Sequence, residues 1–296
     1  MSQKIDRFVL AGGGIGSRLQ PRPTREKIMV PLGEGLAEED KLPVLAFALG
    51  SMVSAGISKG TITVAYEDGE VQPWLDSIQD PGSYRDKPPF VRYWLDLCRA
   101  AEVSVIAQKQ GDLEAYGTAV ALEMGAHEGE TVAYSTADEF VLDSKGHDGV
   151  MRSMVAALNQ SGLPNAMAYR YVPDITTEDI TSYGHMLGDS TLQGFAEKEE
   201  ALALPRELLG KTNISRGIAG PTVIATSRSL VEAQRAQIAR DGVRTSEAYV
   251  TTAFASAIPE GVLLTEAAGT YYDIGTHQAY AATDAAIGQI AANYQP

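Results

Sequence analysis

The most informative part of the chain reads Leu10-Ala-Gly-Gly-Gly-Ile-Gly-Ser-Arg-Leu-Gln-Pro-Arg-Pro-Thr-Arg-Glu-Lys-Ile-Met-Val-Pro31. The apolar run Phe8–Ala11 leads into it and predicts a buried strand of a parallel sheet. Four glycines follow within five positions, and Arg18 and Lys27 come after them. Glycines let a backbone approach a ligand closely and point its N–H groups at anionic oxygens, which nearby cations neutralise. The stretch therefore predicts a polyphosphate-binding loop.

Two well-known phosphate loops do not fit this spacing. A dinucleotide-binding Gly-x-Gly-x-x-Gly loop would place its third glycine at Ser17 if it began at Gly12, and at Leu19 if it began at Gly14. A P-loop requires Gly-Lys followed by Ser or Thr, and Gly210-Lys211-Thr212 lacks the glycine that should precede it. An NAD-dependent dehydrogenase is therefore disfavoured.

A third pattern fits. The residues Gly14-x-Gly16-Ser17-Arg18-Leu19, then Pro21, Thr24 and Lys27-x-x-x-Pro31, resemble the signature of sugar-1-phosphate nucleotidylyltransferases. The alternative is a glycine-rich turn between strand and helix that binds no ligand. The presence of Arg18 and Lys27 argues against that interpretation. The Arg18-to-Lys27 interval is one residue shorter than is usual in the family, and the loop after Pro31 is lengthened by an acidic insert, Glu34–Asp40.

Composition limits the cellular setting and the partners. The net charge of −14 over 296 residues argues against nonspecific binding to nucleic acid or to an anionic membrane. A single cysteine, Cys98, excludes an internal disulfide and favours the reducing cytoplasm, and we expect it to pack inside a helix. The N-terminus leaves no room for a signal peptide, and no apolar run is long enough to span a bilayer.

Short apolar runs alternate with longer amphipathic ones, which predicts βαβ units, a Rossmann-like mostly parallel sheet with helices on both faces, and a small antiparallel part. Strands are predicted at 8–11, 61–65, 102–108, 131–135, 165–171, 261–264 and 269–272, with further short strands from about 180 to 225. Helices are predicted at 44–55, 91–101, 117–125, 148–159, 228–239, 247–257 and 277–294. We expect one domain over 1–296, with a nucleotide-binding part to about residue 160 and a sugar-binding part after it.

The segment after the third predicted strand suggests a nucleobase site. Gly117 and Ala119 could admit a flat base against the backbone, and Gln110 offers both a donor and an acceptor to a base edge. An ordinary helix start with small residues explains the same pattern equally well. The spacing from Gln110-Gly111 to Gly117-Thr118-Ala119-Val120 is similar to that of bacterial glucose-1-phosphate uridylyltransferases.

Two aspartates are candidate metal ligands. Asp138 directly follows a predicted strand, where a carboxylate can hold Mg²⁺ against nucleotide phosphates, and it resembles the family's Gly-Asp although Ala137 replaces the glycine. Asp273 lies in Tyr271-Tyr272-Asp273-Ile274-Gly275-Thr276, which resembles the family's aromatic-x-Asp-Val/Ile-Gly-Thr. The alternatives are a solvated loop aspartate or a helix cap for Asp138 and an N-cap of the last helix for Asp273.

Later motifs resemble the family's sugar site. Tyr183-Gly184 and the pair Glu197-Lys198 resemble its hairpin and its Glu-Lys pair, for which the alternative is a surface ion pair of little energetic value. Asn213 and Gly217 resemble the segment that presents a backbone glycine to the sugar, although Ala219 replaces the usual aromatic residue.

The resemblance covers nearly the whole chain, and it implies transfer of a nucleotidyl group from an NTP, foremost UTP, to a sugar-1-phosphate, foremost glucose-1-phosphate, in a homodimer or homotetramer. It implies catalytic roles for Arg18, Lys27 and Lys198, and Mg²⁺ on Asp138 and Asp273. The implied nucleotide contacts are Ala11, Gly12, Gly13, Gly14, Gly16, Gln110, Gly117 and Thr118, and the implied sugar contacts are Glu197, Asn213 and Gly217. A thymidylyl-, guanylyl- or cytidylyltransferase of the same fold, or a regulatory protein that binds nucleotide sugar without turnover, remains an alternative. The chain ends too soon after Asp273 for the β-helix acyltransferase domain that some relatives carry.

Overall fold

A computed structural model of the chain describes residues 4–14, 19–21, 24–67, 69–108, 115–177, 180, 184–243 and 247–295, without the side chains of residues 197–199. The described strands are β1 (Arg7–Gly12), β2 (Pro31–Leu32), β3 (Leu42–Pro43), β4 (Lys59–Val64), β5 (Glu102–Ala107), β6 (Val132–Thr136), β7 (Glu139–Leu142), β8 (Asn165–Tyr171), β9 (Gly184–Leu187), β10 (Gly194–Glu197), β11 (Lys211–Ala219), β12 (Val262–Glu266) and β13 (Thr270–Asp273). The described helices are α1 (Val44–Ser54), α2 (Val71–Ser77), α3 (Pro89–Arg99), α4 (Thr118–Gly125), α5 (Met151–Ser161), α6 (Lys198–Ala201), α7 (Pro221–Asp241), α8 (Val250–Ser256) and α9 (His277–Asn293).

The chain divides into two compact units. The glycine-loop unit comprises Arg7–Gln110, Ser135–Arg152 and Ala268–Pro296. The second unit comprises Met1–Asp6, Gly111–Tyr134 and Ser153–Ala267. None of the helices in the described part of the chain is long and apolar enough to cross a bilayer.

The glycine-loop unit is built on parallel strands. β4 pairs in parallel with both β1 and β5, with Phe8 opposite Gly60 and Lys59 opposite Glu102. Phe8, Val9 and Leu10 are fully buried, as a continuous apolar run in a parallel strand requires. A Cβ on Gly60 would collide with the Phe8 ring, so a glycine is needed opposite that aromatic side chain. The strands predicted at 8–11, 61–65 and 102–108 are confirmed to within two residues.

Helix α1 packs against β7 and α3 through aromatic side chains. The Phe47 ring stacks on Phe140 at a centroid distance of 4.4 Å and meets Trp94 edge-on at 5.0 Å. Cys98 is fully buried in the same helix as Trp94, and burial raises the pKa of its thiol well above the usual value. The expectation that Cys98 packs inside a helix is confirmed.

The acidic insert Glu34–Asp40 is held against the C-terminal helix. The Gly33 N–H donates to the Asp284 carboxylate at 2.6 Å, and the Glu34 N–H donates to the Asp284 carbonyl at 3.2 Å. A Cβ on Gly288 would collide with the Glu34 carbonyl, so α9 lies directly on the insert's backbone. The insert therefore forms part of the packing of this unit.

The second unit contains the predicted antiparallel part. β8 is antiparallel to β11 and parallel to β12, and β9 is antiparallel to both β10 and β11. The strand predicted at 165–171 matches β8. A parallel sheet flanked by helices, together with smaller antiparallel pairings, confirms the predicted fold class.

The prediction for the longest helix was wrong at its start. The sequence pattern predicts short strands to about residue 225 and a helix over 228–239, but α7 begins at Pro221. Pro221 occupies the first turn, where a backbone N–H would have no helical partner in any case. The β-branched residues Val223 and Ile224 have a low intrinsic helix preference, but their burial stabilises them in the helix. At the other end Gly242 adopts a left-handed conformation, φ +66°, and caps the helix.

Candidate active site

The glycine loop follows β1 directly. A Cβ on Gly12 would lie 2.6 Å from Ile28 and 2.7 Å from the Thr63 carbonyl, and one on Gly13 would collide with the Gln108 amide. No described atom lies within 4 Å of the position that a Cβ on Gly14 would take. Packing therefore requires the first two glycines, whereas Gly14 borders open space.

Lys27 is a buried cation near the glycine loop. It begins a 3-10 turn that ends at Met29, it is 8% exposed, and its Nζ donates to the Asp138 carboxylate. Burial alone would lower the pKa of Lys27, but the negative charge and hydrogen bond of Asp138, helped by Asp273 and Glu139, outweigh burial and raise it. Lys27 is therefore held as a buried ammonium group.

The Asp138 loop is tied to the end of β1. The Ala137 N–H donates to the Ala11 carbonyl at 3.0 Å, which fixes the backbone next to the glycine loop. Glu139 accepts hydrogen bonds from the Thr136 hydroxyl at 2.8 Å and from the Tyr271 hydroxyl. Burial, followed by the charge of Asp138, raises the pKa of Glu139 to about 7.

Asp273 reaches the same region from the other side of a two-stranded ribbon. β13 pairs antiparallel with β7, with Asp273 directly opposite Glu139. The Asp273 carboxylate accepts from the Gly275 N–H at 2.6 Å, while the Thr276 hydroxyl caps α9 by accepting from the Ala279 N–H. The interpretation of Asp273 as the N-cap of the last helix is therefore wrong.

The local charges suit a divalent cation shared with phosphates. Among the described residues, the Lys27 ammonium interacts with three carboxyl groups, those of Asp138, Glu139 and Asp273. Within the described ranges no group of three or more His, Cys, Asp or Glu side chains is arranged to hold a metal ion. A cation at Asp138 and Asp273 would therefore need further oxygen ligands, which Mg²⁺ commonly takes from substrate phosphates and water.

In the second unit, Gly117 and Thr118 contact the start of α8. Gly117 has φ +119°, and a Cβ there would lie 2.5 Å from the Ala248 carbonyl. The Ala248 N–H donates to the Tyr116 carbonyl, and the Ala248 carbonyl accepts from the Ala119 N–H. Thr118 Oγ1 accepts from the Val250 N–H at 2.9 Å. Both residues predicted to bind nucleotide thus also have a packing role.

We expect Gly117→Ala to lower the free energy of unfolding by about 3 kcal/mol, because it combines a strained backbone with a backbone collision. Urea unfolding measures this. Gly129→Ala is the matched control, since Gly129 also has a positive φ of +76° but no described atom lies within 4 Å of its Cβ position, and it should cost about 1 kcal/mol. Equal losses for the two variants would contradict the close contact at Ala248.

Asn213 and Gly217 lie on either side of an irregularity in β11. The register with β8 shifts between them, and Ser215 has φ +50° while its N–H donates to the Asn213 side chain at 2.8 Å. A Cβ on Gly217 would lie 2.8 Å from both the Ala166 carbonyl and the Phe254 ring. The bulge therefore already occupies one acceptor of Asn213, and packing requires glycine at position 217.

Solved structures match the chain over nearly its whole length, whereas no family model and no curated protein matches the sequence. One is a UDP-glucose pyrophosphorylase complexed with UDP-glucose, at 17% identity and TM-score 0.73 over 97% of this chain and 99% of that one. Another is a putative glucose-1-phosphate thymidylyltransferase from Bacillus anthracis, at 16% identity and TM-score 0.66 over 98% and 97%. A third is the inositol-1-phosphate CTP transferase from T. maritima, at 11% identity and TM-score 0.65 over 100% of both chains. The chain shares the fold of these three proteins.

The residues expected from the family resemblance are distributed over both units of the fold. The glycine-loop unit brings together Lys27, Asp138 and Asp273, with Ala11 beside them through Ala137. Gly16, Arg18 and Gln110 lie outside the described residues, and so do the side chains of Glu197 and Lys198. Along the backbone, Glu197 ends β10 and Lys198 begins α6, so the chain turns between them, as a shared ligand would require.

Sequence patterns do not single out two buried glutamates that adjoin predicted site residues, Glu139 and Glu26. Glu139, the residue after Asp138, accepts hydrogen bonds from Thr136 and Tyr271. Glu26 was passed over, although it is 1% exposed and precedes Lys27. A buried glutamate carries no periodic signal, and the only available clue was that each directly adjoins a predicted site residue.

Proposed function

We propose that this chain transfers a nucleotidyl group from an NTP, foremost UTP, to a sugar-1-phosphate, foremost glucose-1-phosphate. An oxygen of the sugar phosphate attacks the α-phosphorus of the NTP, the bond from that phosphorus to the oxygen bridging to the β-phosphate breaks, and pyrophosphate leaves. The single observation that carries the proposal is the buried Lys27 ammonium, held by Asp138 at the end of a glycine loop, with Asp273 close enough to raise its pKa. The similar fold of three nucleotidyltransferases supports it.

The residues of this chain would do little covalent work. The attacking phosphate oxygen is already an anion, so no general base is needed, and the demand is to bring two anions together and stabilise the charge on the leaving group. Backbone amides at Gly12–Gly16, with Arg18, would hold the triphosphate, and Lys27 would neutralise the α-phosphate. Lys198 would meet the incoming sugar phosphate, and Glu197, Asn213 and Gly217 would contact the sugar.

Asp138 and Asp273 fit Mg²⁺ because carboxylate oxygens are its preferred protein ligands and both carboxylates act on the same Lys27 ammonium. When bound, Mg²⁺ supplies charge neutralisation on the phosphates. Gln110, Gly117 and Thr118 would contact the nucleobase, with Gly117 providing close approach of the backbone.

The test is pyrophosphate release with Mg²⁺, crossing UTP, dTTP, CTP, GTP and ATP with glucose-1-phosphate and other sugar-1-phosphates. We expect the UTP–glucose-1-phosphate pair to give the highest kcat/KM. No release from any pair, while nucleotides still raise the melting temperature, would replace the proposal with a regulatory nucleotide-sugar-binding protein.

A dTTP-dependent thymidylyltransferase is the second candidate. The Asp273-Ile274-Gly275-Thr276 stretch resembles the thymidylyl relatives, and one similar structure is a putative glucose-1-phosphate thymidylyltransferase. The same pyrophosphate-release assay distinguishes the two candidates, because a thymidylyltransferase would show its highest kcat/KM with dTTP.

A further inference from the structure

Glu26 is buried immediately before the lysine on which the proposed function depends. It is 1% exposed, and its carbonyl accepts from the Met29 N–H at 3.1 Å and from the Thr24 hydroxyl at 2.9 Å. Glu26 also occupies the N-cap position of the Lys27–Met29 turn, but its carboxylate makes no capping hydrogen bond to that turn. The side chain is therefore used elsewhere.

The carboxylate of Glu26 binds the start of α2. One of its oxygens accepts from the Glu70 N–H at 2.7 Å and from the Val71 N–H at 3.3 Å. In return, the Glu26 N–H donates to the Glu70 carboxylate at 3.0 Å. These reciprocal bonds, which we call the Glu26–Glu70 latch, join two segments that are 44 residues apart.

The chain between β4 and α2 is shaped to admit this latch. A Cβ on Gly69 would lie 2.5 Å from the Glu26 carboxylate, so any other residue at position 69 would push the side chain out. Within the described part of the chain, the second carboxylate oxygen of Glu26 is buried and accepts no hydrogen bond. Burial raises the pKa of this carboxyl, although the two N–H donors act to lower it. A buried carboxylate with one unbonded oxygen lowers the free energy of unfolding relative to a neutral amide, whose oxygen could accept the same two hydrogen bonds.

Lys27 is consequently fixed at both ends. Its backbone turn is anchored by the latch, and its ammonium group is bound to Asp138. Charge stabilisation in a transition state depends on groups that are already placed when charge develops, so a loose turn would cost rate rather than substrate binding. α2 is a seven-residue helix, and a carboxylate at its first N–H groups also satisfies donors that would otherwise lack partners.

We propose that Glu26 is a positioning residue: through the Glu26–Glu70 latch it fixes the turn that aims Lys27 at the α-phosphate. This rests on the proposed nucleotidyl transfer. Glu26 touches no substrate; it acts through Lys27.

The test compares three variants of the full chain, Glu26→Ala, Glu26→Gln and Leu75→Ala. Glu26→Ala removes the two bonds that the carboxylate accepts, leaving only the backbone bond to Glu70, and should lower kcat roughly ten- to a hundredfold, with KM for both substrates changed by less than about threefold. Glu26→Gln keeps an oxygen acceptor for the two N–H groups and should restore kcat to within about threefold of the wild type. Leu75→Ala truncates a buried side chain of α2 outside the latch, so it should lower stability but leave kcat unchanged.

Hydrogen exchange provides a readout that does not require turnover. The Met29 and Val30 amides, which bond to the Glu26 and Lys27 carbonyls, should exchange faster in Glu26→Ala than in Leu75→Ala. Unchanged exchange in Glu26→Ala, wild-type kcat in that variant, or an equal kcat loss in Leu75→Ala would each overturn the positioning role. A wild-type chain that releases no pyrophosphate from any pair would refute the proposed transfer instead, and the exchange comparison would still decide whether the latch holds the turn.

Discussion

Lys27→Ala is expected to lower kcat by about a hundred- to a thousandfold, or about 3–4 kcal/mol of transition-state stabilisation. The Lys27 ammonium is buried and bound to Asp138, so its removal leaves an uncompensated carboxylate in a partly buried place. Its removal would also leave Asp138, Glu139 and Asp273 without their described counter-charge, which disfavours approach of two phosphates. Steady-state pyrophosphate release measures the effect.

Lys27→Met separates charge from packing, because it keeps an unbranched chain in the buried site. It should lose as much activity as Lys27→Ala while unfolding at a higher urea concentration. Lys59→Ala is the matched control, since Lys59 also pairs with a carboxylate, that of Glu102, but both side chains are exposed. Near-normal turnover in Lys27→Ala would remove the central residue from the proposed mechanism.

Asp138→Asn is expected to lower kcat by roughly a hundredfold or more and to raise the Mg²⁺ concentration needed for half-maximal activity. The substitution keeps the size of the side chain and one carbonyl acceptor for Lys27 but removes the negative charge that a divalent cation requires. Activity measured across a Mg²⁺ titration tests this directly.

Asp76→Asn is the control for a lost surface carboxylate. Asp76 accepts a hydrogen bond from Gln72 on the exposed side of α2, and its replacement should leave both kcat and the Mg²⁺ response unchanged. A Mg²⁺ response in Asp138→Asn that overlays the wild-type curve would exclude Asp138 as a metal ligand and leave it only the role of fixing Lys27.

Local patterns predicted the elements whose identity depends on nearby residues. Phe8–Ala11 predicted a buried strand because an unbroken apolar run next to glycines suits a strand covered on both faces. The helix over 228–239 was predicted too short because Thr222, Val223 and Ile224 favour strands intrinsically, and only burial of Val223 and Ile224 in the folded unit overrides that preference.

The contacts of the candidate site were less accessible to sequence reasoning. The family resemblance predicts that Lys27 binds phosphate and that Asp138 binds a metal ion. Their direct hydrogen bond joins residues 111 positions apart, and it depends on how whole strands and turns pack. Asp273 had two interpretations until the structure showed Thr276 capping the last helix. The Glu26–Glu70 latch had no pattern at all, since acidic residues on two loops look solvated in sequence.

The glycine-loop unit combines residues from three distant stretches of the chain, and its Gly33–Asp284 hydrogen bond joins positions 251 apart. Contacts of such separation are slow to form, because the entropy of closing the intervening loop is lost before any contact compensates for it. During synthesis the amino-terminal strand and the Lys27 turn emerge long before Asp273 and α9, the partners that complete their unit. We therefore expect the Lys27–Asp138–Asp273 cluster to be among the last parts of the chain to fold.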